Sequence, residues 1–375
     1  MKILKKVTYL LLVLALVLSL VACGETKKPE EAKEGETKTE EPKEGEKAEE
    51  PKEGEKPAAG GAIAKLGLGS VTSLAKSKEL AEGKGAAQAD TTVVALALDA
   101  EGKIVDVIID VTQSKAPIKD DGTLGFEPAA TELKTQRDLG DDYKMKDASG
   151  LKKEWYEQAD ALEEAWIGKT VEEALAMKRD EEKDQFTDLA SSVTIKVSGY
   201  MEALKRASEN TVDAPNAEKI GLGIDTTFGG RGTVPAADGK GAKVQFNTNI
   251  AATAVDKDGK IAATLIDVAQ NNVEFTPEGK LAQDYTTFES KTKKELGPEY
   301  GLIKGSEIKK EWFEQAKALE EYLVGKTADE VKNIKVEKKD DAHLAVPAEE
   351  DLKSSVTVSI DGFQLVVLEA IENAQ

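Results

Sequence analysis

One cysteine and one histidine stand in a chain of 375 residues. A single Cys makes no intrachain disulfide, CxxCH haem site, iron–sulfur cluster or zinc knuckle. The lone His343 leaves no His-rich metal cluster and no repeated His-based triad. Aromatic residues amount to 5%, a thin supply for stacking carbohydrate. No GxGxxG or Walker sequence stands at a strand-to-helix turn, which excludes nucleotide-binding loops of those kinds. Basic residues are outnumbered, 51 against 71 acidic, for a net charge of −20. That balance offers no basic stripe for phosphates, so no nucleic acid is expected as a partner. It disfavours docking on anionic lipid heads and favours solubility.

What is present begins with MKILKKVTYLLLVLALVLSLVACG. Lys2, Lys5 and Lys6 precede an apolar run from Leu10 to Ala22, which is shorter than the ~20 residues of a transmembrane helix. A basic start, a short apolar core and small residues before the cut describe a signal peptide over residues 1–22. Leu20 to Cys23, L-V-A-C, is similar to a bacterial lipobox, in which the Cys becomes the lipidated first residue. The expected mature chain is anchored by Cys23 on the outer face of a bacterial cytoplasmic membrane, extracellular, with a net charge of −23. Residues 24–60 hold Glu, Lys, Pro and Gly but no Val, Ile, Leu or aromatic side chain. Such a tract buries too little apolar area to offset ordering entropy, so 23–60 is expected to be a disordered linker. As a coil it reaches about 30–35 Å, and fully extended on the order of 120 Å.

The remainder is duplicated. KKEWYEQADALEEAWIGKT (152–170) matches KKEWFEQAKALEEYLVGKT (309–327) at an offset of 157, and EGKIVDVIIDVTQ (101–113) matches DGKIAATLIDVAQ (258–270) at the same offset. KLGLG (65–69) matches KIGLG (219–223). Further on, DLASSVTIKVSGY (188–200) matches DLKSSVTVSIDGF (351–363) at an offset of 163, so the second copy has six extra residues before this segment. The copies are assigned to 61–210 and 211–375, joined by the turn-rich NTVDAPN (210–216).

Within each copy, TTVVALALDAEGKIVDVIIDV and its counterpart read as a β-hairpin around a D-x-x-G-K turn. Trp155, Ala159, Leu162 and Trp166 recur at helical spacing, which predicts an amphipathic helix closed by Gly168. A further helix is predicted at the end of each copy, over YMEALKRA and FQLVVLEAIENA. Hairpin pairing with helices in this order predicts an α+β fold, an antiparallel sheet with packed helices, rather than a doubly wound sheet.

The SSVT segments are predicted as strands. Alternation puts Ser191, Val193, Ile195 and Val197 on the core face, with Ser354, Val356, Val358 and Ile360 in the second copy. Ser192, Thr194, Lys196 and Ser198 take the accessible face, as do Ser355, Thr357, Ser359 and Asp361. From the residues alone two readings stay open. Thr194 and Thr357 are there because β-branched side chains suit strands, or because their hydroxyls are used.

The D-x-x-S-S-V-T segments resemble the flavinylation motif of FMN-binding domains. The whole arrangement, with lipobox, acidic linker and two copies carrying GLG, DGKI, EWYEQA and GKT, resembles the PplA-type flavin lipoproteins of Gram-positive extracellular electron transfer. The resemblance covers essentially the whole chain. It implies an electron carrier rather than an enzyme, with FMN joined by a phosphoester to Thr194 and to Thr357. A flavin transferase would attach it, a membrane redox system would donate electrons, and external acceptors would take them. The resemblance also implies site roles for Ser191, Ser192, Ser354 and Ser355 as small neighbours, and for Asp188 and Asp351 as loop-orienting acids. Tyr143, Trp155, Tyr300 and Trp312 are candidates to cover the flavin ring, although both Trp lie on an apolar stripe that points to core packing. Gln113 and Gln270 are polar candidates. The alternative is a ligand-binding or structural surface lipoprotein whose repeats carry no cofactor.

Overall fold

The structure is a computed structural model and describes residues 62–341 and 343–375. The expected signal peptide, Cys23 and the linker to residue 60 lie outside the described residues. In the first half come β1 (Lys65–Ser73), β2 (Ala86–Leu98), β3 (Ile104–Pro117), α1 (Gln136–Leu139), α2 (Met145–Ala148), α3 (Trp155–Trp166), α4 (Val171–Leu175), β4 (Arg179–Asp180), β5 (Gln185–Phe186) and α5 (Ser198–Glu209). The second half has β6 (Thr211–Asp213), β7 (Lys219–Phe228), β8 (Lys243–Val255), β9 (Ile261–Glu274), α6 (Lys293–Leu296), α7 (Trp312–Leu323) and α8 (Ala328–Lys332). It closes with β10 (Val336–Glu337), β11 (Val346–Pro347), α9 (Glu350–Lys353) and α10 (Asp361–Glu372). This is a mixed α+β architecture with antiparallel sheets and packed helices.

The predicted hairpins form. Asp99 turns the first, its Oδ1 accepting the amides of Glu101 at 3.0 Å and Lys103 at 2.8 Å. Asp256 does the same for Asp258 and Lys260, each at 2.9 Å. The sheets run in the order β3-β2-β1-β6 and β7-β8-β9. β6 comes from the segment read as a connector, where Thr211–Asp213 pairs antiparallel with Lys65–Gly67.

Each hairpin strand is buried on both faces along its centre, which is why VVALAL reads as a near-continuous apolar run. Val94, Leu96 and Leu98 face α3 and α5. Val93, Ala95 and Ala97, on the opposite face, meet Ile220, Leu222, Ile250, Ala252 and Ala254 of the other half. The layers therefore run helices, sheet, sheet, helices, and the central sheet-on-sheet core belongs to both halves. Hydrogen bonds reinforce it, from the Thr72 amide to Ser290 Oγ at 2.9 Å and from the Leu80 amide to the Gly279 carbonyl at 2.8 Å.

The duplicated GLG has a packing cause. A Cβ at Gly67 would stand 2.4 Å from the Ala207 carbonyl oxygen, and one at Gly69 2.2 Å from that of Ala203. In the second half the corresponding distances are 1.7 Å from Gly221 to Ala370 and 1.9 Å from Gly223 to Val366. Two glycines on one strand thus let α5, and likewise α10, lie with its backbone directly on the sheet.

Candidate functional site

Each SSVT segment lies beside the long helix that starts with Trp. α3 begins behind Glu154, a buried carboxylate that accepts the amides of Met145 at 2.8 Å and Lys146 at 3.1 Å. Those bonds hold the 143–146 turn against the start of the helix. One turn into α3, Gln158 is fully buried. Its Oε1 accepts two hydrogen bonds from Thr194, from the amide at 2.8 Å and from Oγ1 at 3.1 Å. Its Nε2 donates to Ser149 Oγ at 3.4 Å.

The second half repeats this arrangement. Gln315, also fully buried, accepts from the Thr357 amide at 2.8 Å and from Thr357 Oγ1 at 3.2 Å. Its Nε2 donates to Ser306 Oγ at 3.4 Å and to the Lys310 carbonyl at 3.2 Å. Sequence reasoning missed both glutamines. The signal was there, because Gln158 and Gln315 put an amide on the apolar stripe of a duplicated helix. A buried polar group in that place needs a partner.

The predicted SSVT strands are not strands. Residues 188–192 turn, and 193–197 run on without a ladder. The reason lies in who takes the backbone donors. The amides of Ser192 and Val193 donate to the Leu189 carbonyl at 2.9 and 2.7 Å, Thr194 is held by Gln158, and the Val197 amide donates to the Asp184 carbonyl at 2.9 Å. The second half matches, with Ser355 and Val356 donating to Leu352 and the Ile360 amide to Ala345. Side chains and loop carbonyls have replaced the neighbouring strand. The predicted alternation survives in part. Val193, Ile195, Val197, Val356 and Ile360 are buried, whereas Thr194 and Thr357 are half-buried. Ser191 and Ser354, expected on the core face, are exposed, and Val358 is only half-buried.

The remaining candidates divide. Ser192 Oγ donates to the Leu189 carbonyl at 3.3 Å and Ser355 Oγ to that of Leu352 at 3.1 Å, so both close the turn just before the Thr. Asp188 is exposed and accepts from Thr187 Oγ1 at 3.3 Å, and Asp351 lies exposed in the first turn of α9. Trp155 and Trp312 are core residues at 2% exposure. Trp155 Nε1 donates to Tyr200 Oη at 2.9 Å, and Trp312 meets Phe363 edge-on at 5.9 Å.

Tyr143 and Gln113, proposed separately, are joined. Tyr143 Oη donates to Gln113 Oε1 at 3.1 Å and accepts from Gln136 Nε2 at 2.9 Å. Tyr300 Oη likewise donates to Gln270 Oε1 at 3.4 Å. Burial raises the hydroxyl pKa of both tyrosines above the ordinary value. Gln136 is 3% exposed, and its Oε1 has no hydrogen-bond partner among the described residues. A buried acceptor left open beside Tyr143 and Gln113 fits the N–H edge of a planar heteroaromatic ring. At the equivalent place in the second half is Lys293, its Nζ 4.9 Å from the Tyr300 ring centre and 5.4 Å from that of Trp312. Burial lowers its pKa to about 8, against the pull of Asp267.

Behind each site a buried acid anchors the helix to β3 or β9. Glu163 Oε1 accepts the Ile109 amide and Arg137 Nη2, each at 2.6 Å, and Glu320 Oε1 accepts the Ile266 amide at 2.6 Å and Lys294 Nζ at 2.5 Å. Asp110 and Asp267, next to these cations, are pushed up to about 6 by burial.

Two cavities lie where the halves meet, of about 160 and 320 Å³. Arg206, Asp267, Lys294 and Glu295 line the first, and Asp110, Arg137, Asp138 and Glu369 the second. Thr194 and Thr357 line neither. No family model, no curated protein and no solved structure matches this chain.

Proposed function

We propose that the chain is a lipid-anchored extracellular electron carrier, built from two fused FMN-binding-like halves, with FMN joined covalently to Thr194 and Thr357. The observation that carries the reading is the same hold on Thr in both halves, two hydrogen bonds into a fully buried glutamine amide. A structural threonine needs its backbone satisfied. The buried glutamine needs a partner in any case, so what supports the reading is that both hydroxyls are held in the same direction at the same place in the two halves.

Attachment is written as Thr–OH plus FAD giving Thr–O–FMN plus AMP. The threonine oxygen forms a bond to the FMN phosphorus, the phosphoanhydride bond breaks, and the hydroxyl proton leaves through the transferase. Gln158 and Gln315 orient the hydroxyl, but an amide is no base. Activation therefore falls to the partner enzyme. Bound flavin would supply redox chemistry that no side chain here provides. Tyr143, Gln113 and Gln136 would hold the ring edge in the first half, and Tyr300, Gln270 and Lys293 in the second. Covalent attachment suits a carrier outside the cell, where a dissociated cofactor is lost. Charged side chains line the two cavities between the halves, and no aromatic residue lines either of them.

Co-expression with a flavin transferase tests the proposal. The purified protein should be yellow and heavier by two FMN groups less two waters. Thr194→Ala and Thr357→Ala should each remove one increment. A colourless product of unmodified mass under those conditions contradicts the proposal.

A further inference from the structure

The two halves differ where the ring-covering residues meet. Gln136 of the first half corresponds to Lys293 of the second at the offset of 157. Gln136 offers Tyr143 a neutral amide, whereas Lys293 lies over both Tyr300 and Trp312. The facing strand changes in the same sense. Asp90 stands opposite Gln113 in the first sheet, and Asn247 stands opposite Gln270 in the second. Lys76 pairs with Asp90 at 2.7 Å, so the extra charges of the first half cancel. In the second, Gln270 Nε2 donates to Asn247 Oδ1 at 3.1 Å, with no charge on either partner. The anchoring cations correspond, Arg137 with Asp110 and Glu163 against Lys294 with Asp267 and Glu320. Arg137 lies 5.9 Å from the Trp155 ring centre and is also paired with Asp160 at 2.8 Å, an acid replaced by Lys317 in the second half. The second half therefore gains the cation Lys293 beside Tyr300 and lacks the acid that offsets Arg137 in the first.

Resting on the attachment reading above, we propose that Lys293 makes the second half the stronger electron acceptor, so that reducing equivalents settle on the Thr357 side. At neutral pH the oxidised ring takes up two electrons and one proton on reduction and ends with one more negative charge. A buried ammonium beside Tyr300 and Trp312 would stabilise that charge far more than a neutral amide would.

The experiment uses full-length protein co-expressed with a flavin transferase, as Thr194→Ala, which keeps only the second attachment point, and as Thr357→Ala, which keeps only the first. Each is titrated with dithionite against a reference dye while the flavin band is followed. The midpoint of Thr194→Ala should be the more positive, by about tenfold in the reduction equilibrium or ~30 mV for a two-electron couple. Adding Lys293→Gln to Thr194→Ala should erase the difference by lowering its midpoint, and adding Gln136→Lys to Thr357→Ala should close it from the other side by raising the lower one. Yellow protein whose two midpoints coincide, or whose midpoint ignores both exchanges, overturns this inference and leaves attachment standing. Colourless protein overturns both.

Discussion

The two halves agree in what holds the backbone and differ in what surrounds it. Shared are the Gln amide on the Thr, the buried Glu behind β3 and β9, and the glycine seat under the last helix. Changed are Gln136 to Lys293, Asp90 to Asn247, Tyr200 to Phe363 and Arg206 to Glu369. The last exchange falls in the paired cavities. Arg206 bonds the carbonyls of Ser70 and Ser290 and the carboxylate of Glu295, at 3.1–3.2 Å. Glu369 accepts the Ile224 amide at 3.2 Å and faces the negative charges of Asp138, Asp110 and Asp225. The lesson is that one frame carries two electrostatic settings.

The largest expected effect tests the shared frame. Gly221→Ala puts a Cβ 1.7 Å from a helix carbonyl and should destabilise by about 3 kcal/mol or more in urea melts. Gly67→Ala, at 2.4 Å, should cost less. Equal costs would break the claim that α10 sits closer to its strand than α5.

Next come Gln158→Leu and Gln315→Leu. Each orphans a threonine amide, so each should cost about 1–3 kcal/mol and lower flavin incorporation at its own Thr alone, read by intact mass. Unequal incorporation losses would show that the two holds are not equivalent.

Tyr200→Phe makes the first half like the second at that place and leaves Trp155 Nε1 without its acceptor. The expected cost is about 1 kcal/mol by the same melts.

The smallest effect concerns pH. Burial first, then Asp138, raises Glu369 to about 7 from an ordinary 4.5. A folded-state pKa above the unfolded one means the folded chain binds more protons between these values, so stability from this group falls as pH rises from 4.5 through 7. Glu369→Gln should therefore match the parent at pH 4 and be the more stable at pH 8, in paired thermal melts. A variant no more stable than the parent at pH 8 would remove the contrast with Arg206.

Much of the frame was legible in the residues. The D-x-x-G-K turns and the spacing from Trp155 to Trp166 announce hairpin and helix, because each signal is local. The shared core was not legible, since a strand buried on both faces says nothing of what covers the second one. GLG was visible as a repeat, but its reason is a helix that arrives more than 130 residues later in sequence. The SSVT segment misled for a physical reason. Its alternation is that of an extended chain, and periodicity does not tell whether a strand or a glutamine satisfies the amides. That same glutamine supplies the strongest argument for the hydroxyl.

The central claim is tested most directly by the visible spectrum of the protein co-expressed with a flavin transferase, purified and unfolded in urea. A flavin band that stays with the unfolded chain, and is absent from a Thr194→Ala, Thr357→Ala double variant, is the expected result. A spectrum with no flavin band, or a band retained by the double variant, would contradict it.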